Sequence, residues 1–344
     1  MAAPHRWLNS VWYGSGKGGW LLLPLTGLYW AITALRGLLY RAGIFKTARA
    51  RVPVIVVGNV TVGGTGKTPT VIWLARELQS RGFRPGVVSR GYGGKQAGTS
   101  MRVDKDSDPA VVGDEPVLLA RRSDCPVVVD ADRIRAAAML VDDGVDVIIT
   151  DDGLQHLRLQ RDFEICIIDG SRGLGNRRLL PAGPLRESVD RLRDVDLVLV
   201  NGEYTARHAS DSAAEQNAVR FDLCASDACR LNGTLARPLE NFKNTTVHAV
   251  AGIGNPGRFF DLLRGYEIQV IEHAMPDHFA LRKSDLEFGD DFAVVMTEKD
   301  AVKIGTQVAD KLWSVAIDLE MSASDSAPIL AQIESRLRSC QEQE

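Results

Sequence analysis

One stretch of the sequence constrains the fold of this chain most. It is an apolar run that is followed at once by a glycine-rich loop and a helical pattern. The run is VPVIVVGN, residues 52–59, and the loop is GNVTVGGTGKTP, residues 58–69. A short β-branched apolar run predicts a strand covered on both faces. The next segment, PTVIWLARELQSRG, predicts a helix with Pro69 in its first turn and Gly82 near its end. Strand, glycine loop and helix in this order are the context of a phosphate-binding loop.

The loop departs from the usual phosphate-loop pattern, G-x-x-x-x-G-K-[ST]. A threonine stands where the first glycine belongs, and the two glycines that follow offset it. VGGTGKT is close to the deviant loop K-G-G-x-G-K-[ST], although a valine replaces the leading lysine. We predict that the lysine reaches the β- and γ-phosphates of a nucleotide and that the last threonine binds Mg²⁺. The predicted phosphate-binding residues are Thr61, Val62, Gly63, Gly64, Thr65, Gly66, Lys67 and Thr68.

A second apolar run, residues 145–150, ends at Asp151 and Asp152 in VDVIITDDGLQH. An apolar strand that delivers a carboxylate places negative charge near the Mg²⁺ of a phosphate loop. The alternative is a strand that leads into an ordinary Asp-Gly turn. The phosphate loop upstream favours the metal-binding interpretation.

Further apolar runs alternate with helical patterns along the chain. This alternation predicts an α/β fold of the P-loop NTPase type, with a mostly parallel sheet covered by helices on both faces. The ligand site of such a sheet lies at the carboxyl ends of its strands. Five scattered cysteines without metal-ligand spacing suit a reducing compartment.

The length of 344 residues favours two domains of about 150 residues each. We predict an N-terminal membrane-associated helical segment over 1–50, a phosphate-loop domain over 51–225, a hairpin-like linker over 226–243 and a smaller α/β domain over 244–344. Asn232-Gly233 supplies the hairpin signal. GIGNPG, residues 252–257, has the wrong spacing for a dinucleotide motif. We expect a final helix over about residues 327–339, which could pack back on either domain.

The N-terminal end is both the most basic and the most apolar part of the chain. Residues 1–76 contain nine of the 41 basic residues and none of the 44 acidic ones. Residues 18–35, GGWLLLPLTGLYWAITAL, are uncharged and slightly shorter than the roughly 20 residues that span a bilayer. Flanking aromatic and basic residues favour a helix that lies in the membrane interface and binds anionic lipid. A core helix is the alternative, and a cleaved secretory signal fits poorly.

Three polar motifs are candidates for acid–base or phosphate chemistry, each with a plain structural alternative. GDEP opens a helical pattern at residues 113–116, where Asp114 fits an ordinary N-cap. PDH places His278 in a loop, and most loop histidines are merely solvated. PAGPLRES ends with Arg186 and Glu187, and its pattern alone indicates no more than a turn.

Seven motifs occur in a fixed order: GNVTVGGTGKTP, SRGYGG, GDEP, TDDGLQH, PAGPLRE, PDH and TEKDAVK. Together they resemble the tetraacyldisaccharide 4'-kinases, which phosphorylate a lipid A precursor in Gram-negative envelopes. The resemblance runs from the N-terminal helix through Lys303, and the deviant glycine loop is a feature of this family. It implies ATP and Mg²⁺ as ligands and a tetraacylated glucosamine disaccharide 1-phosphate as the acceptor. It also implies a peripheral or monotopic enzyme at the cytoplasmic face of the inner membrane.

The resemblance further implies a role for each matching residue. Asp114 and His278 would form the acid–base pair that activates the 4'-hydroxyl, with Lys67 as the third catalytic residue. Arg90 and Arg186 would contact the phosphate or sugar of the substrate. The ligands around Mg²⁺ would be Thr68, Asp151, Asp152 and Glu187. Because His278 belongs to the predicted smaller domain, closure of the cleft would complete the site. No role follows for TEKDAVK.

Two other function classes stay open on the sequence. A membrane-associated P-loop GTPase or ATPase would explain the deviant loop, but the guanine motif N-K-x-D is absent and TEKD carries Glu298 instead of Asn. A nucleic-acid-binding module would explain the basic end, but it leaves the phosphate loop and the paired aspartates unexplained. We therefore expect a lipid substrate and an anionic membrane surface as partners, and no nucleic acid.

Overall fold

The computed structural model describes residues 3–14, 16–92, 94, 98–204, 218–305 and 310–341, with side chains from residue 7 onward. Gly93 of SRGYGG lies outside the described residues. The strands are β1 Val54–Gly58, β2 Pro85–Ser89, β3 Met101–Val103, β4 Val127–Val129, β5 Val147–Asp151, β6 Phe163–Asp169, β7 Leu197–Asn201, β8 Ala218–Arg230, β9 Ala236–Arg237, β10 Thr246–Ala251, β11 Gln269–Ala274, β12 Ala293–Thr297 and β13 Leu312–Glu320. The helices are α1 Ala3–Tyr13, α2 Leu23–Arg41, α3 Lys67–Ser80, α4 Pro109–Val112, α5 Asp114–Arg122, α6 Arg133–Asp142, α7 Pro256–Gly265, α8 Glu298–Ala301 and α9 Ala323–Gln341.

All these strands lie in one sheet. Its order is β11-β10-β12-β13-β8-β7-β6-β1-β5-β2-β4-β3, and β9 pairs with β8 beside this path. Neighbouring strands are parallel except at the pairs β13–β8, β3–β4 and β8–β9. The predicted α/β class with a mostly parallel sheet is therefore confirmed.

β1 is buried along its whole length because helices cover both faces of the sheet. Ile55 and Val57 point into the core formed with α3, α5 and α9. Val54 and Val56 point into the opposite core, which α6 and the loops after β5 and β6 complete. The apolar run carries no polar face because both sides of the strand need apolar contacts.

β1 also fixes the position of the glycine loop. It lies between β5 and β6, with Val57 paired to Asp151 in parallel register. The loop after Gly58 and the carboxylates after β5 therefore leave the same edge of the sheet. This edge is where a parallel α/β sheet binds its ligands.

β8 connects the two halves of the sheet. Its first residues pair with β7 in parallel, and its later residues pair with β13 in antiparallel register, with Ala225 opposite Ile317. The turn at Asn232-Gly233 then reverses the chain into β9, so the predicted hairpin forms. The domain boundaries stay a prediction, and β8 runs across the one placed after residue 225.

The C-terminal helix α9 returns to the first half of the molecule. Ile329, Leu330, Ile333 and Leu337 are buried in the core that contains Ile55 and the apolar face of α3. The helical pattern predicted over 327–339 therefore packs on the half that carries the glycine loop.

The N-terminal helix α2 lies on the surface, and none of its residues is buried. Residues 19–41 are long and apolar enough to cross a membrane by length and composition. Leu25, Leu28 and Ile32 are 55–58% exposed. On the inner side, the Tyr29 hydroxyl donates a hydrogen bond to the Arg186 carbonyl at 2.9 Å. The alternative of a core helix is therefore wrong for this segment.

Candidate active site

The glycine loop turns sharply at two left-handed positions. Gly63 and Gly66 both have φ of +104°, a region that residues with a Cβ rarely adopt. A Cβ on Gly66 would also lie 3.0 Å from the Asn201 amide nitrogen. Asn201, at the end of β7, donates from that nitrogen to the Thr65 carbonyl at 3.0 Å. The loop therefore needs glycine at position 66 for both its backbone and its packing.

Lys67 is held over the carboxyl ends of β1 and β5. Its Nζ donates to the Asn59 side-chain oxygen at 3.2 Å and lies 3.8 Å from Asp152. The Asn59 amide in turn donates to the Gly63 carbonyl at 3.2 Å. A lysine anchored in this way presents its charge beside the loop, as the prediction for Lys67 requires.

The remaining loop residues form a cradle suited to an anion. The Val62 backbone N–H donates to the Pro184 carbonyl at 2.9 Å, and Thr61 forms an isolated antiparallel β-bridge with Leu185. Thr68 lies in the first turn of α3, where free backbone N–H groups and the helix dipole favour negative charge. Among the described residues, the buried Thr65 hydroxyl has no hydrogen-bond partner. An orphaned hydroxyl beside a helix N-terminus fits a bound phosphate group.

Asp151 and Asp152 differ in their surroundings. Burial, reinforced by the negative charge of Glu115, raises the pKa of Asp151 to about 7. One Asp151 oxygen has no partner within the described part of the chain. Burial also acts to raise the pKa of Asp152, but Lys67 and Arg186 outweigh it and lower that pKa. Asp152 accepts from Arg186 at 3.0 Å through each oxygen.

These carboxylates fit Mg²⁺ as a partial ligand set. In the described ranges, no three His, Cys, Asp or Glu side chains group into a metal site. Mg²⁺ commonly takes only one or two protein carboxylates and completes its shell with phosphate oxygens and water. The unpartnered Asp151 oxygen, buried next to the phosphate loop, is suited to that role.

The other predicted ligands are dispersed around this centre. Glu187 accepts from Gln155 at 2.6 Å and pairs with Arg191 at 3.3 Å. Gln155 also donates to the Asn59 carbonyl at 3.2 Å, so Glu187 is linked to the loop through Gln155. Arg90 is exposed just after β2. The roles of Glu187, Arg90 and Arg186 stay predictions.

Asp114 and His278 meet across the two halves of the sheet. His278 Nδ1 lies 3.1 Å and 3.3 Å from the two oxygens of Asp114. Asp114 is 5% exposed and is the first residue of α5, whose N-cap is Gly113. The plain N-cap alternative for Asp114 is therefore wrong. The predicted pair forms, although its catalytic role stays a prediction.

The charges around this pair favour an ion pair. Burial acts to raise the pKa of Asp114, but the His278 hydrogen bond and the charges of Lys299 and Lys303 lower it to about 2. The hydrogen bond to Asp114 raises the pKa of His278 against the opposing effect of burial. The His278 ring also packs against Tyr92, with ring centroids 5.0 Å apart. A carboxylate–imidazole pair of this kind, with a buried carboxylate and a partly exposed ring, can accept and return a proton as one unit.

Comparison with known proteins decides among the function classes. The LpxK family model, described as tetraacyldisaccharide-1-P 4'-kinase, matches residues 19–338. This chain belongs to that family. A tetraacyldisaccharide 4'-kinase of Nitrosococcus oceani is 46% identical over 324 residues, 94% of this chain and 93% of the relative. One of Alkalilimnicola ehrlichii is 49% identical over 297 residues, 86% of this chain and 87% of the relative.

A solved structure of the family is also similar. LpxK from Aquifex aeolicus in complex with ATP superposes with a TM-score of 0.74 at 29% identity. The match covers 93% of this chain and 99% of that one. The family and this likeness favour the kinase over the GTPase, ATPase and nucleic-acid alternatives.

Several residues of the kinase site were not identified from the sequence. Asn59 and Asn201 hold the glycine loop, and Gln155 joins it to Glu187. Both asparagines follow apolar runs, so a polar residue at the end of a buried strand was the available signal. Lys299 and Lys303 were missed because TEKDAVK reads locally as a short amphipathic turn, and their partners lie far away in sequence.

Proposed function

We propose that this protein transfers the γ-phosphate of ATP to the 4'-hydroxyl of a tetraacyldisaccharide 1-phosphate precursor of lipid A. The observation that carries this proposal is the contact between Asp114 and His278 at the edge that holds the glycine loop. Glu115, next to Asp114 in the chain, lies near enough to Asp151 for its charge to act on that carboxyl. This proximity supports the assignment of the acid–base pair and the phosphate loop to one site.

Each part of the site supplies one need of phosphoryl transfer. The loop N–H groups and Lys67 would bind the β- and γ-phosphates of ATP. Asp151 and Asp152, with Thr68 and Glu187, would hold Mg²⁺, which neutralises developing phosphate charge when bound. The Asp114–His278 pair would take the proton of the attacking hydroxyl.

The surface of α2 supports a membrane-bound acceptor. Its apolar side chains are exposed, and the basic residues of the N-terminal end follow them directly. We infer that α2 lies in the interface of an anionic leaflet, as a peripheral or monotopic attachment. Since ATP is available in the cytoplasm, the enzyme would act at the cytoplasmic face of the inner membrane. The hydrogen bond from the Tyr29 hydroxyl to the Arg186 carbonyl supports a position of this helix beside the proposed site.

The test is transfer of labelled γ-phosphate from ATP to a detergent-dispersed tetraacyldisaccharide 1-phosphate. Asp114→Ala should reduce labelling by at least about 100-fold, the usual scale of an acid–base contribution. Lys67→Ala should reduce it by a similar factor, because it removes the charge that would stabilise the transferred phosphate group. Asp190→Ala is the matched control, because the Asp190 side chain is 77% exposed and its partner among the described residues is the similarly exposed surface residue Arg193, at 3.3 Å. ATP hydrolysis without labelled lipid would contradict the proposal and favour a membrane ATPase.

A further inference from the structure

TEKDAVK, residues 297–303, forms a hydrogen-bonded support for Lys303, whose side chain is 10% exposed. Thr297 caps α8, and its hydroxyl donates to Asp300 at 2.7 Å. The Gly252 N–H donates to the same Asp300 oxygen at 2.8 Å. Asp300 is 1% exposed, and its other oxygen accepts from Lys303 at 2.9 Å. The hydrogen bond to the buried Asp300 carboxylate thus fixes the position of the Lys303 ammonium group.

Lys303 joins this support to the acid–base pair. Its Nζ lies 3.3 Å from one oxygen of Asp114, while His278 Nδ1 lies 3.1 Å from the other. The Lys303 and Asp114 side chains are 10% and 5% exposed, so water and salt screen their attraction weakly. The Asp114 carboxylate is therefore held at both oxygens, by an imidazole and by an ammonium group.

Lys299 acts on the neighbours of the same two residues. Its Nζ contacts Glu115 at 2.9 Å and Asp277 at 3.1 Å. Glu115 follows Asp114 in the chain, and Asp277 precedes His278. Lys299 thereby ties the start of α5 to the loop that carries the histidine.

We propose that Lys303 and Lys299 are positioning residues for the Asp114–His278 pair, and that Lys303 fixes the Asp114 carboxylate in its ionised, correctly oriented state. This inference rests on the proposed function. The charged groups that face the pair are the two lysines and the acids Glu115, Asp277 and Asp300. Because removal of one cation from this set favours proton binding, both protonation steps of the pair should move to higher pH.

The decisive variant is Lys303→Met, which keeps the length of the side chain and removes its charge. The kcat for phosphate transfer should fall while the KM for ATP stays unchanged, because the partners of Lys303 lie outside the glycine loop. The acidic limb of the kcat–pH profile should move up by about one pH unit, the scale of one neighbouring charge. The ring resonances of His278, followed by NMR, should show the same upward shift without any need for turnover. Lys303→Arg should keep the limb where the unmodified enzyme has it.

Lys311→Met is the matched control. Lys311 is a partly buried lysine in the same half of the sheet as Lys303, but it donates to the Asp290 carbonyl at 2.7 Å and not to the Asp114–His278 pair. An unshifted limb in folded Lys303→Met, or an equal shift in Lys311→Met, would overturn the inference. If Lys303→Met does not fold, Lys299→Met should give the same upward shift, and its absence there would overturn the inference as well. Asp114→Ala separates the two proposals: if it stays active, the assignment of the pair itself fails.

Discussion

At the scale of single residues, Gly254 brings the second half of the sheet into backbone contact with the phosphate loop. Gly254, in GIGNPG, packs so closely on Gly64 that a Cβ added to Gly254 would lie 2.6 Å from the Gly64 nitrogen. Gly257, three residues later, has room, since its nearest neighbour would be 3.8 Å away. A motif that resembles a nucleotide fingerprint thus serves here as a close contact with the phosphate loop.

This contact predicts different outcomes for two alanine substitutions. Gly254→Ala should push the phosphate loop out of place, and the KM for ATP should rise several-fold. Gly257→Ala should behave like the unmodified enzyme, because nothing has to move. Steady-state kinetics with varied ATP measure both effects. Equal KM values for the two variants would show that this contact does not shape the ATP site.

The ion pair between Asp114 and His278 predicts a pH dependence of stability. The lowered pKa of Asp114 contributes stability that is full above its ordinary value of 3.8 and is lost as pH falls toward about 2. The raised pKa of His278 contributes stability that is full below 6.5 and is lost as pH rises through the folded-state pKa. The pair therefore stabilises the fold most between these two ordinary values.

We expect His278→Ala to lower the free energy of unfolding more at pH 6 than at pH 9. Urea unfolding at the two pH values measures the difference. In an Asp114→Asn background the same substitution should lose most of its pH dependence, since the charged partner is gone. A pH dependence that persists in that background would assign the effect to another group.

At this scale the sequence alone predicted the phosphate loop and the position of the paired aspartates, because each follows a buried strand. It did not predict Asn59, Asn201, Lys299 or Lys303. Their partners come together only when the strands are ordered across the sheet. A single sequence carries no signal for that order.

At the scale of elements, helix α2 has an exposed apolar outer face and an inner side that makes a polar contact with the protein. Deletion of the whole helix would also remove the hydrogen bond from the Tyr29 hydroxyl to the Arg186 carbonyl. Substitutions confined to the outer face are therefore the cleaner test of membrane attachment. Sequence reasoning predicted the helix and its apolar character, but which side chains face the protein depends on the loop beneath it.

Replacing Leu25, Leu28 and Ile32 together by serine should reduce binding to anionic vesicles by at least about 100-fold, since each buried side chain contributes about 1.5–3 kcal/mol. Phosphorylation of vesicle-borne lipid should fall with it, while ATP affinity should stay unchanged. Co-sedimentation with vesicles and ATP titration measure the two quantities. The control is a variant in which serine replaces Leu235 and Phe292, two apolar residues outside α2 that are each 43% exposed. Unchanged vesicle binding in the triple variant would contradict the assigned role of α2.

At the scale of the whole molecule, the last helix stabilises the first half of the fold. Leu337 of α9 is fully buried in the core that also holds α3. Leu337→Ala should lower the free energy of unfolding by about 2–5 kcal/mol, as for other buried leucines. Denaturant unfolding of the full chain measures this loss. Gln332→Ala on the exposed side of α9 should change it by less than about 0.5 kcal/mol. A similarly small effect of Leu337→Ala would contradict this packing.

The shared strand β8 has a consequence for dividing the protein into fragments. A cut after Ala225 would fall inside a continuous strand, next to its pairing with Ile317. Each fragment would then expose an unpaired strand edge, which invites aggregation. Split versions of this enzyme should therefore reassemble poorly from a break at that point. A break in the turn at Asn232-Gly233 would leave β8 whole and give complementing fragments a better chance of restoring activity.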